Sequence, residues 1–186
     1  MLRIFGWLFG FGMFLGLGVL GAAGYVVWTI SEDLPDYSAL RDYAPPITTR
    51  VHAADGLLLA EYARERRLFQ PIETIPDIVT AAFVAVEDKD FYTHGGISPE
   101  GIIRAARDNL LGAIEGDDGP LVGASTITQQ VAKVFLLTSE QTWDRKIREI
   151  LLALKIEDTF TKDKILELYL NEIFFGFNSY GIAAAG

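Results

Sequence analysis

Residues 76–94 read PDIVTAAFVAVEDKDFYTH, and this stretch sets the class of the fold around it. Pro76 suits a first helical turn, and the apolar residues from 78 to 86 run nearly all round a helix, which predicts one buried on most sides. Glu87 and Asp88 then fall at its carboxyl end. There the helix dipole is already negative and the expected surroundings are poor in water, so both effects disfavour ionised carboxyls. Acids placed against such costs point to a site.

Downstream the pattern stays helical. Ser98-Pro99-Glu100 is a helix start, with Ile102, Ile103, Ala106 and Leu110 on one apolar stripe. Residues 112–123 read as a loop, rich in glycine and acid (Glu115, Asp117, Asp118), either an ordinary surface loop or a mobile segment over a cleft. Further helices are expected near 126–137, 142–158 and 162–175, the last ended by Gly176. Upstream, 49–53 and 57–62 flank Ala54-Asp55-Gly56, a strong hairpin signal. Residues 31–46 carry proline and acid with little periodicity and read as a short linker.

Residues 4–30 hold no charge over 27 positions, about 40 Å of helix against a hydrocarbon core of roughly 30 Å. Arg3 before the span and Glu32, Asp33 and Asp36 after it favour a cytoplasmic N-terminus and an uncleaved signal anchor. The glycine pairs 6/10 and 12/16 fit close helix approach or the general glycine enrichment of membrane helices. Beyond the anchor 15 basic residues (16 less Arg3) face 25 acidic ones, so nucleic acid is not an expected partner. Cysteine is absent, which removes disulfides and thiol chemistry.

A second motif is GASTITQQVAK (123–133). On a helix, Thr126, Gln129, Gln130 and Lys133 share an arc of about 100°, while Ile127, Val131, Val134 and Phe135 share another. Donors and a cation at a helix N-terminus suit a phosphate or diphosphate. A capping box explains Thr126 and Gln129 equally well, but not Gln130 with Lys133. In RKIRE (145–149), Arg145 and Glu149 line up with Leu152 and Ile156, opposite an apolar face of Trp143, Ile147, Ile150, Leu151 and Leu154. That placement makes them partly buried, either an intrahelical ion pair or a second carboxylate beside a cation. Asp144, Arg148 and Lys155 read as a solvated face. His52 and His94 have no partner at metal-ligand spacing, and Ser125 lacks a nucleophile elbow. Glu167, Tyr169 and Asn171 read as helix packing and termination.

Together EDKDFYTH (87–94), GASTITQQVAK, RKIRE, KILELYLNEIFFG (164–176) and YGIAAAG (180–186) resemble the peptidoglycan glycosyltransferases of family 51, the membrane-proximal domain of class A penicillin-binding proteins. Ala124 stands where that family commonly has a second glycine, and the chain reaches Gly186 inside the fifth motif. The resemblance implies a mainly α fold: a lysozyme-like helical glycosyltransferase lobe over 76–186, incomplete at its C-terminus. A transmembrane anchor (1–31) and a linker with a β-hairpin element (32–75) precede it.

The implied function is polymerisation of lipid II into β-1,4 glycan with inversion and release of undecaprenyl diphosphate, at the bacterial cytoplasmic membrane with the lobe outside. Glu87 matches the general base and Glu149 the second carboxylate, which acts on the donor side or holds a divalent cation such as Mg or Mn. Lys133, Arg145 and Lys146 match the diphosphate-binding cations, with Ser125, Thr126, Gln129 and Gln130 beside them. Asp88, Phe91 and His94 match residues that shape the same cleft. Lipid II, the growing glycan strand, the bilayer and other cell-wall synthesis proteins are the implied partners, with no organic cofactor. The rival readings are a silent membrane-anchored scaffold and a glycan-cleaving lytic enzyme, which would have no diphosphate for Lys133 and Arg145 to neutralise.

Overall fold

The computed structural model describes residues 2–41, 43, 49–62, 66–116, 122–138, 142–176 and 179–185. Helix α1 (Leu2–Glu32) carries a stretch, Gly10–Glu32, that is long and apolar enough to cross a membrane. Strands β1 (Thr49–His52) and β2 (Leu58–Tyr62) form the expected antiparallel hairpin, with a bulge between Val51 and His52. Asp55 closes its turn by accepting the Leu57 N–H at 3.1 Å. The short strand β3 (Arg66–Arg67) precedes a lobe of five helices: α2 (Asp77–Glu87), α3 (Pro99–Glu115), α4 (Ile127–Leu136), α5 (Trp143–Thr159) and α6 (Lys162–Glu172). Strand β4 (Ser179–Tyr180) pairs parallel to β3, and a last turn α7 (Ile182–Ala185) follows.

Four of the lobe's helices begin where the sequence places a hydroxyl. Ser98, Thr126, Thr142 and Thr161 each accept a backbone N–H from three residues on, which satisfies one of the otherwise orphaned amides. The core is built around α6, whose residues from Ile165 to Asn171 are all buried, with Ile127, Val131 and Ala132 of α4 and Leu152 and Ile156 of α5 packed on it.

Several expectations are corrected. Helix α2 is not buried: it has no buried residue, and Ile78 and Val86 are 79% and 82% exposed. An apolar circumference shows that a helix has no strongly polar side, not that other elements cover it. On α3 the stripe of Ile102, Ile103 and Leu110 is likewise exposed, while Gly101 and Ala105 face inward. Helix α3 also runs three residues past Gly112 and ends at Glu115, with Gly116 as its cap, so the expected loop starts later; residues 117–121 lie outside the described part. Helix α6 stops at Glu172, short of Gly176. Gly176, at φ +85°, instead turns the chain back so that Phe174 bridges Tyr180. On α5 the buried side is Glu149, Leu152, Ala153 and Ile156, and Trp143 is 88% exposed.

The segment read as a linker is packed into the lobe. Leu40 is 2% exposed within the core, Tyr43 stacks edge-on to Phe135 with centroids 4.7 Å apart, and the Tyr43 hydroxyl donates to Glu172 at 2.7 Å. Arg148, expected on a solvated face, reaches from α5 to Asp33 at 3.1 Å and to Asp144 at 2.8 Å. Glu167 and Asn171 bind the backbone of Ile72 and Gln70, which fastens the chain ahead of α2 onto α6.

One close approach fixes the loop after α2. Gly96 has φ +96°, and a Cβ there would lie 2.8 Å from the Ala153 carbonyl oxygen. Gly96→Ala is therefore expected to destabilise by about 2 kcal/mol, a fall in Tm of roughly 4–8 °C by calorimetry.

Candidate active site

The loop from Glu87 to Gly96 folds over the N-terminus of α4, and Asp88 makes the joint. It caps α2, its own N–H bonding to Val84 at 3.0 Å, and its carboxylate accepts the Ile127 N–H at 2.9 Å. The same carboxylate accepts His94 Nε2 at 2.9 Å. His94 Nδ1 accepts the Gly96 N–H at 3.1 Å, so the network assigns the proton to Nε2 and His94 acts as a neutral donor. Both side chains are at least 95% buried. Asp88 and His94 thus hold the loop to α4, and His94 also lines a cavity of about 560 Å3 with Asp90, Thr93 and Glu100.

Phe91, Thr126 and Gln129 are buried beside the same joint. Phe91 is fully buried, with Lys162 Nζ 4.4 Å from its ring centroid. Thr126 Oγ1 donates to the Gly96 carbonyl at 2.7 Å and accepts the Gln129 N–H, while Gln129 Oε1 accepts the Thr126 N–H at 2.9 Å. That is a complete capping box, so the α4 N-terminal amides at 126, 127 and 129 are occupied internally.

What remains open is the set on the flank of α4. Glu87 is exposed, and its Oε2 accepts the Gln130 amide at 2.9 Å. Lys133 is exposed in the last turn of α4. Ser125, also exposed, accepts Lys146 Nζ at 3.1 Å, and Lys146 bridges from there to the buried Glu149. The ion pair of Glu149 is therefore with Lys146, three residues before it, and not with Arg145. Arg145 is half-buried and its Nε has no hydrogen-bond partner among the described residues. Glu87 is exposed, so the water-poor surroundings expected for it are absent.

A family model described as transglycosylase matches residues 55–186. This chain belongs to the transglycosylase family. It is 49% identical over 173 residues, 93% of the chain, to the penicillin-binding protein 1A of Rickettsia conorii, and 51% identical over 161 residues, 87% of the chain, to that of Rickettsia prowazekii. The penicillin-binding protein 1A of Neisseria meningitidis serogroup A is 43% identical over 182 residues, 97% of the chain. The chain spans only 20–22% of the length of these relatives.

Within this transglycosylase lobe the structure also brings in residues that sequence reasoning passed over. Glu157 accepts Thr128 Oγ1 at 2.5 Å and Lys162 Nζ at 2.7 Å, and Lys162 donates as well to the His94 carbonyl at 2.7 Å. This knot ties α4, α5 and α6 under the loop. No motif spacing announces it, because its members meet across the break between α5 and α6. Tyr169, read as packing, lines a mostly apolar cavity of about 220 Å3 together with Gln130 and Phe174.

Proposed function

We propose that the lobe is a peptidoglycan glycosyltransferase that polymerises lipid II with inversion at the donor sugar. One observation carries the reading. An exposed carboxylate, Glu87, is held by the Gln130 amide of α4, the helix that also carries Lys133 and at whose start Ser125 binds Lys146 of α5, where the neighbouring Arg145 keeps a buried Nε without a partner among the described residues. A base and cations on adjoining elements suit attack by a sugar hydroxyl on a sugar diphosphate. Glu87 takes the proton of the acceptor 4-hydroxyl, that oxygen bonds to the donor anomeric carbon, and the carbon–oxygen bond to the diphosphate breaks. Lys133, Lys146 and Arg145 then neutralise the departing diphosphate, with Arg145 Nε a ready donor to one of its oxygens. Gln130 orients the base.

A divalent cation, where one takes part, would be held between Glu149 and the oxygens of the diphosphate, since no group of three His, Cys, Asp or Glu side chains lies together among the described residues. Glu149 serves here as the buried counter-charge that fixes Lys146.

The membrane follows from the same substrate. An anchor with its N-terminus in the cytoplasm places the lobe outside, and the exposed stripe on α3 gives it a second apolar surface for the bilayer that holds the lipid tail. Labelled lipid II in liposomes tests the whole: glycan strands with one diphosphate released per bond are expected, and cleavage of preformed glycan instead would overturn it. Lys133→Ala is expected to weaken binding of a diphosphate-bearing substrate about tenfold while barely changing that of the neutral disaccharide, read by calorimetric titration. Equal loss for both sinks the anion role.

A further inference from the structure

Helix α6 sets Tyr169 at the junction of the two helices that carry Glu87 and Gln130. Its ring stands edge-on to Phe83, one turn before Glu87 on α2, with centroids 6.2 Å apart and planes at 72°. The ring lines the cavity that Gln130 and Val131 of α4 also line. Although the residue is only 4% exposed, its hydroxyl has no hydrogen-bond partner among the described residues. Burial first, and then the negative charge of Glu87, raise its pKa, so the phenol stays protonated within the field of that carboxylate.

A buried donor without a partner is costly, and such groups call for a specific explanation. Packing explains the ring and not the hydroxyl, because phenylalanine would fill the same space. The nearest charged acceptor along the helix that the ring packs on is Glu87, one turn beyond Phe83 on α2. It is exposed, so its side chain is free to turn, and the amide that now holds it belongs to Gln130, which lines the cavity and is itself a good donor to an incoming sugar.

We propose, on the basis of the glycosyltransferase reading above, that Tyr169 is a positioning residue: its hydroxyl donates to the Glu87 carboxylate when a sugar enters and takes the Gln130 amide. One hydrogen bond replaces another at the base. The carboxylate keeps a fixed direction while it accepts the proton of the attacking hydroxyl, and the phenol gains the partner that it lacks in the free protein.

Tyr169→Phe in the membrane-embedded protein tests this, because it keeps the ring and removes only the hydroxyl. The free variant is expected to have a Tm equal to or above that of the wild type, since no bond is lost. With lipid II, kcat is expected to fall about tenfold with KM within about twofold, the pattern of a contact made in the reacting complex. A Tm lowered by several degrees means that the hydroxyl has a structural partner, and an unchanged kcat beside an active wild type means that Glu87 does not use it. Either result overturns the proposal and leaves the glycosyltransferase reading standing. Absence of glycan product from the wild type overturns that reading, and this proposal with it.

Discussion

Glu87→Gln is expected to reduce lipid II polymerisation by about 10²- to 10⁴-fold while leaving the Tm within a degree or two of the wild type. The two halves of the prediction come from one geometry. Glu87 ends α2, is exposed, and takes the Gln130 amide through one carboxylate oxygen. A glutamine has the same shape and retains a carbonyl oxygen for that amide, so folding has little to lose. What it lacks is the capacity to accept a proton, and with it the step that turns the acceptor hydroxyl into a nucleophile. Radiolabelled lipid II followed by separation of glycan strands, beside a thermal melt of the same preparation, reads both. Full activity in Glu87→Gln would remove the base assignment, and a collapsed melt would show that Glu87 supports the fold.

Much of the scaffold is legible in the sequence because its signals are local. A hydroxyl followed three residues on by a free amide marks the starts of α3, α4, α5 and α6, and Ala54-Asp55-Gly56 marks the hairpin. The capping box at Thr126 and Gln129 is readable too, and the structure forms both of its hydrogen bonds. What fails is long-range. Periodicity finds apolar residues on α2 and α3 but carries no information on what covers them: Val79, Phe83 and Val84 of α2 pack on the core, while Ile78, Val86 and the α3 stripe stay open. On α5, Glu149 has cations three and four residues before it; the sequence does not choose between them, and the three-residue neighbour Lys146 wins because Ser125 holds its ammonium from the other side. Asp88 looks like half of an acidic pair, yet its partner Ile127 lies 39 residues away, beyond the reach of any local pattern. The unpartnered Tyr169 hydroxyl is hidden for the opposite reason: its neighbours in KILELYLN are so regularly apolar that the sequence announces only burial.

The joint at Asp88 carries the second large effect. Asp88→Ala is expected to destabilise by about 3 kcal/mol, a fall in Tm of roughly 6–12 °C, because it strands two buried donors, His94 Nε2 and the first amide of α4. Asp88→Asn is milder. The oxygen that accepts both the Ile127 N–H and His94 Nε2 is kept, but the NH2 in place of Oδ1 then stands 3.0 Å from His94 Nε2–H, donor against donor. His94 can turn that nitrogen into an acceptor only by moving its proton to Nδ1, which gives up the Gly96 N–H. The asparagine variant is therefore expected between wild type and alanine in a thermal melt. Asparagine as stable as wild type would show that the single shared oxygen carries the joint and that the second contact to His94 contributes little. Activity should follow stability in this pair, since Gln130 lies one turn beyond Thr126 and Ile127, and any drift of the start of α4 moves the amide that holds Glu87.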